Sequence, residues 1–116
     1  MVIPALDEAD RIEDAIRTAR GPGVIPARDA ASAERGRFRR GGIAGEPEIL
    51  VVDGGSRDDT AIRARRAGAR VLRTDPGRAR QLEAGWRASS GEVVVFLHAD
   101  TRLDDGWTEA LRAALV

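Results

Sequence analysis

Three short segments carry residue types whose spacing suits chemistry on an anionic ligand. Asp53–Gly54–Gly55–Ser56 sets a carboxylate before two glycines. The glycines let the backbone approach a ligand closely and adopt positive φ. Asp53 could accept a hydrogen bond from a base edge or a ribose hydroxyl; the plainer reading is a tight turn with Asp as turn former. His98–Ala99–Asp100–Thr101 offers a carboxylate that could hold Mg2+ or Mn2+ beside two phosphates, since Mg2+ often takes one or two protein carboxylates and keeps its waters. In extended backbone His98 and Asp100 share a side, although His98 could equally be a hydrogen-bonded structural histidine. In Asp75–Pro76–Gly77–Arg78 a helix begins. Its free N–H groups attract phosphate and Arg78 adds a fork of donors, unless Arg78 is an ordinary surface arginine. No G-x-G-x-x-G and no G-x-x-x-x-G-K-[ST] occurs, which disfavours dinucleotide and P-loop readings.

These segments need elements to position them, and the apolar pattern supplies them. Residues 2–6 open with a short strand, and a helix is expected over residues 8–20 with Asp7 as its N-cap and Ile12, Ala15, Ile16 and Ala19 on one stripe. Residues 48–52 read as a buried strand; Asp58 or Asp59 caps a helix to about Ala67, stopped by Gly68. Val71–Leu72 is a short strand. A helix over residues 79–90 carries Leu82, Gly85, Trp86 and Ser89 on one face. Residues 93–97 form the clearest strand of all. Asp104 or Asp105 caps a last helix with Trp107, Ala110, Leu111 and Ala114 on one face. Between the first helix and second strand, residues 21–47 read as a flexible Gly/Arg-rich insertion containing Arg35, Arg37, Arg39 and Arg40; the other reading is a basic flap over an anionic ligand.

Strands alternating with helices predict an α/β, Rossmann-like domain, with a mostly parallel sheet of about four strands and right-handed crossovers. Ligands of such sheets bind beyond the carboxyl ends of the strands. There lie Asp7 and Glu8, then Asp53, Gly54, Gly55, Ser56 and Asp58, then Asp75, Gly77 and Arg78, then His98, Asp100 and Thr101. The amino ends carry single charges, Glu48, Arg70 and Glu92. Polar groups and glycines therefore collect on one rim.

A chain of 116 residues suits one small domain. Nineteen basic residues, all arginine, balance nineteen acidic ones, which argues against binding nucleic acid by neutralising phosphates. Cysteine is absent, so disulfides, thiolate zinc sites and cysteine nucleophiles are excluded. The strongest apolar run is far short of a membrane span, no signal peptide is recognised, and a cytoplasmic location is expected.

Taken together, the motifs resemble family 2 glycosyltransferases of the GT-A fold. Val2–Ile3–Pro4–Ala5–Leu6–Asp7–Glu8 looks like that family's V-I-P-x-x-N-E, residues 49–60 are similar to its V-V-D-[DG]-[GS]-S-x-D-x-T, and residues 95–101 look like the strand and loop of its D-x-D metal motif. D-G-G-S, G-R-A-x-Q and F-L-H-A-D-T look closer to a bacterial branch associated with arsenosugar biosynthesis and radical-SAM/selenodomain proteins. The resemblance spans nearly the whole chain except the insertion. It implies that Pro4 and Glu8 line a nucleotide pocket, that Asp53, with Gly54 and Ser56, meets the base side, and that Asp100 reaches a Mg2+ or Mn2+ on the diphosphate. Arg78, Gln81 and His98 would lie near the phosphates or sugar. Asp7 stands where the family has Asn, His98 stands for the first Asp of D-x-D, and Leu82–Glu83–Ala84–Gly85 departs from the branch's M-N-x-G.

The implied reaction moves a sugar from a nucleoside-diphosphate donor to an unknown acceptor. The general base and acceptor site are expected beyond Val116, so residues 1–116 read as the donor-binding half of an enzyme. Such a half, with a bare sheet edge, would self-associate. The alternatives are a truncated, catalytically inactive nucleotide-binding module, a nucleotidyltransferase, which would carry a Gly-rich basic loop near its N-terminus, and a purely structural α/β fragment.

Overall fold

The computed structural model describes residues 1–21, 47–91 and 93–115. The predicted insertion, with Arg35, Arg37, Arg39 and Arg40, lies outside the described residues apart from its ends, as does Glu92.

Three parallel strands form the sheet in the order β1 (Val2–Ala5), β2 (Leu50–Asp53), β3 (Arg70–Arg73). Val2 lies opposite Leu50 and Ala5 opposite Asp53, while Asp53 in turn faces Arg73. Every residue of β2 is buried, as expected for a central strand covered on both faces. Side chains alternate accordingly. Ile3, Ala5 and Val51 enter one core with Ile12, Ala15 and Ile16 of helix α1 (Ile12–Arg20) and Ala64 of helix α2 (Thr60–Arg66). Val2, Leu50 and Val52 enter a second, smaller core with Ala84 and Ala88 of helix α3 (Arg78–Ala88). Helices thus cover both faces, and the α/β class read from the sequence stands.

The fourth strand is a correction. Residues 95–97 run beside β1 on the side away from β2, but one parallel bridge, Val2 to Phe96, is all that forms. Val2 N–H donates to the Val95 carbonyl at 2.8 Å and Leu97 N–H to the Val2 carbonyl at 2.9 Å. Along a parallel strand, the next residue facing that neighbour is Pro4, which has no N–H to continue the ladder. Apolar content favoured a strand there, and a proline in its partner ended it.

Helix starts and faces differ in detail. Asp7 does not cap α1. The chain makes a turn over residues 8–11, in which Arg11 and Ile12 donate to the Glu8 carbonyl, and Arg11 precedes the helix without a side-chain cap. The N-cap of α2 is Asp59, without a side-chain cap bond; Asp58, one residue earlier, accepts the Thr60 N–H on its Oδ1 at 3.0 Å. Gly68, at φ +91°, ends α2: its N–H meets the Arg65 carbonyl and that of Ala69 meets Ala64, the paired bonds of a Schellman stop. In α3, Gln81 and Gly85 are the buried positions and Trp86 is 60% exposed, against the predicted face of Leu82, Gly85, Trp86 and Ser89. The helix presses so closely on β1 that a Cβ at Gly85 would overlap Val2 Cγ1, and this contact sets its rotation. Helix α4 (Trp107–Leu115) buries no residue fully. Trp107 and Leu111 are half-buried, whereas Ala110 and Ala114 of the predicted face are exposed. Trp107 Nε1–H donates to the Ala19 carbonyl at 3.0 Å.

Candidate functional site

The chain runs outward from β1 to β2 and β3, then α3 carries it back to the far side of β1. The reversal falls between β1 and residues 95–97, and crevices at such reversals receive ligands. The loops after β1, β2 and residue 97 all leave from that rim.

The first two loops are tied together side chain to backbone. Asp53 is 1% exposed. Its Oδ1 accepts Ser56 N–H at 2.9 Å and the Ser56 hydroxyl at 2.6 Å. Ser56 Oγ accepts Asp7 N–H at 2.9 Å, and Asp7 Oδ1 accepts Arg57 N–H at 2.8 Å. Asp7 sits at φ +51°, in the left-handed region that Asp and Asn occupy far more readily than other side chains. One turn further, Thr60 Oγ1 accepts Glu8 N–H at 2.9 Å and donates to Asp58 Oδ1, while Asp58 Oδ2 accepts Ala9 N–H at 3.3 Å. The Thr60 hydroxyl bond, set against partial loss of water, holds the Asp58 carboxyl below its ordinary value. Both bonds from Ser56 fall on Asp53 Oδ1.

The rim at Arg78, His98 and Asp100 is more open. Arg78 and His98 are brought together, Nη2 lying 3.3 Å from Nδ1, with both residues exposed. His98 and Asp100 are exposed and Leu97 and Ala99 buried, but the segment is not extended as expected: Thr101 N–H donates to the His98 carbonyl at 3.0 Å, closing a turn over residues 98–101. Phe96 is level with Val2 and Asp53 with Ala5, so the loops after β2 and after residue 97 leave the sheet on either side of β1. Pro4 on β1 and Glu8 in the loop after it are half-buried.

Sequence reasoning missed how α1 holds the Asp100 loop. Arg11 Nη1 lies 3.9 Å from Asp100 Oδ2. Asp14 takes Arg102 at 2.6 Å and Arg17 at 2.8 Å, and both cations push its carboxyl below the ordinary value. Thr18 Oγ1 accepts Leu103 N–H at 3.0 Å. Positions 11, 14 and 18 share a helix face, a polar stripe visible in the sequence, although nothing there names its partner. A cleft of about 220 Å³ opens between these two elements, lined by Asp10, Arg11, Asp14, Asp100, Thr101 and Arg102.

Gln81 was expected near the phosphates or sugar. It is 5% exposed and lies beneath Gly54, its Nε2 donating to the Ala5 carbonyl at 3.0 Å and the Val52 carbonyl at 2.9 Å.

A divalent ion fits one donor set. Among the described residues no three His, Cys, Asp or Glu side chains form a metal cage. Asp100 is an exposed carboxylate in a loose ion pair with Arg11 at 3.9 Å, which an incoming ion must displace or share. Its exposure suits Mg2+ or Mn2+ bound by one protein carboxylate, with phosphate oxygens and water completing the shell.

Parallel sheet, covering helices and the reversal of direction at β1 define an α/β fold of the Rossmann-like kind. The family model for glycosyl transferase family 2 matches residues 1–116, and the chain belongs to that family. It is 38% identical over 109 residues to a glucosyl-3-phosphoglycerate synthase of Mycolicibacterium paratuberculosis, which covers 86% of this chain and 27% of the relative. It is 45% identical over 62 residues to the Mycobacterium tuberculosis enzyme of that name, covering 46% and 19%. A crystal structure of the M. tuberculosis enzyme with Mn2+, uridine diphosphate and glucosyl-3-phosphoglycerate superposes with a TM-score of 0.69 at 29% identity, covering 98% of this chain and 38% of that one. Its complex with Mg2+ and uridine diphosphate gives 0.68 at 30%, covering 98% and 37%. The chain therefore spans well under half the length of these relatives. They point to glucosyl-3-phosphoglycerate synthases and not specifically to the arsenosugar-associated branch. No helix among the described residues is long and apolar enough to cross a membrane.

Proposed function

We propose that this chain is the donor-binding portion of a metal-assisted glycosyltransferase that takes its sugar from a UDP-linked donor. The observation that carries the reading is the convergence of Asp53, the Arg78–His98 pair and Asp100 on the rim where the chain reverses direction. Asp53 Oδ2 would accept from the base side, with Gly54 and Ser56 shaping its loop and Pro4 and Glu8 flanking it. Arg78 and His98 would face the phosphates, and Asp100 would hold the ion. A bound Mg2+ or Mn2+ supplies Lewis-acid neutralisation of charge on the leaving diphosphate. The protein's own part is to orient the donor in a fixed polar frame. No residue of this chain is given the general-base role. The relatives' names make glucose the first sugar and 3-phosphoglycerate the first acceptor to test.

Calorimetric titration with UDP, with Mn2+ and with EDTA, tests the proposal. Mn2+-dependent binding, weakened in Asp53→Ala and Asp100→Ala, is expected; binding indifferent to metal and to both substitutions refutes it. A second reading is a nucleotide-binding module without turnover. Metal-dependent UDP binding with no glucose transfer to 3-phosphoglycerate selects it. Self-association through the edge at Phe96, 48% exposed, belongs to the same proposal and reads out as concentration-dependent mass in light scattering.

A further inference from the structure

We infer that Gln81 is a positioning residue for the base side of the donor site, an inference that rests on the UDP-binding reading above. Three observations carry it. First, a long polar side chain is 5% exposed in a helix that otherwise packs through Ala84, Gly85 and Ala88, and a buried amide persists where its bonds are made. Second, Nε2 spans the seam between two strands where both become loops. It donates to Ala5, the last residue of β1, and to Val52, the residue before Asp53. The same Ala5 carbonyl also accepts Gly54 N–H at 2.9 Å. Third, a Cβ at Gly54 would stand 3.0 Å from Gln81 Cδ, 3.0 Å from Nε2 and 3.1 Å from Oε1. Three near-equal distances mean that the flat face of the amide lies against Gly54.

Gln81 is therefore the floor on which the Asp53–Gly54 turn rests. It fixes the heights of the two strand ends relative to each other and, through Val52, the plane of the peptide entering Asp53. One helical turn earlier on α3, Arg78 reaches His98 on the phosphate side. Losing the Gln81 donors frees the base-side turn while leaving Arg78 on the first turn of α3 and His98 and Asp100 on the loop after residue 97. A residue that merely stabilised the fold would weaken both sides alike.

The test uses the whole chain and two probes, UDP with Mn2+ and inorganic pyrophosphate with Mn2+, titrated into wild type and Gln81→Met. Methionine matches the length of glutamine and donates nothing. UDP affinity is expected to fall about tenfold, the scale of a lost supporting contact, with pyrophosphate affinity unchanged. Equal losses for both probes, or no loss, overturn the inference. A wild-type chain that binds Mn2+–pyrophosphate but not UDP removes the donor reading and this inference with it. If Gln81→Met does not fold, the wild-type Gln81 side-chain amide decides by 15N NMR. Its resonances should shift with UDP and not with pyrophosphate, and a response to neither, or equally to both, overturns the inference.

Discussion

The Asp7 amide donates to Ser56 Oγ at 2.9 Å across 49 residues of sequence. The same hydroxyl donates onward to Asp53 at 2.6 Å. One serine thus joins the loop after β1 to the carboxylate at the end of β2, and the two loops form one surface. Ser56→Ala should cost about 1–2 kcal/mol, because Asp53 keeps one of its two bonds from residue 56 and the Asp7 amide can turn to water. Urea unfolding measures the cost. UDP affinity should fall as well, and a variant as stable and as tight as wild type would show that the relay is incidental.

The close approach of α3 to β1 gives a second expectation. A methyl at Gly85 would overlap Val2 Cγ1 and lie 3.1 Å from Val52 Cγ2, inside a strand pair with no slack. Gly85→Ala should destabilise by about 1–3 kcal/mol through overpacking, although alanine is the better helix former. Thermal unfolding followed by circular dichroism checks it; a rise in Tm would mean that α3 can lift from the sheet.

Arg11 and Asp100 are both more than half exposed at 3.9 Å, so their pairing adds little to stability. Its weight falls on the ion instead, since a guanidinium beside a carboxylate disfavours a second cation. Arg11→Ala should tighten Mn2+ binding a few-fold in the presence of UDP, and Asp100→Asn should abolish the Mn2+ dependence of UDP binding. Mn2+ titration by electron paramagnetic resonance reads both. Weaker Mn2+ binding in Arg11→Ala would instead make Arg11 a direct phosphate ligand.

Acid should loosen the loops from their supports. Asp58 is held below its ordinary value of 3.8 chiefly by the Thr60 hydroxyl, and Asp14 by its bond to Arg17 and the charge of Arg102. A carboxyl depressed in the folded state adds stability that is present above the unfolded value and lost as pH falls through the folded one. Urea midpoints should therefore hold above about pH 5 and decline below pH 4. The decline should be shallower in Asp58→Asn, which lowers the midpoint at pH 7. Parallel curves for the two proteins would remove Asp58 from the account.

The sequence by itself determined the α/β class, the three strands that formed and the rim on which the polar groups gather. These follow from periodicity and from turn residues next to apolar runs, which are local signals. Tertiary structure decided what local signals cannot carry. Residues 93–97 are apolar enough for a strand, yet the ladder stops where Pro4 in the neighbouring strand offers no N–H. Asp7 reads as a cap for the helix after it, yet its carboxylate serves Arg57 in another loop. Gln81 reads as a residue near the ligand, yet its amide spans two carbonyls from two strands. In each case the deciding atom lies in a segment distant along the chain, and hydrogen bonds and close contacts of that kind exist only once the sheet has brought those segments together.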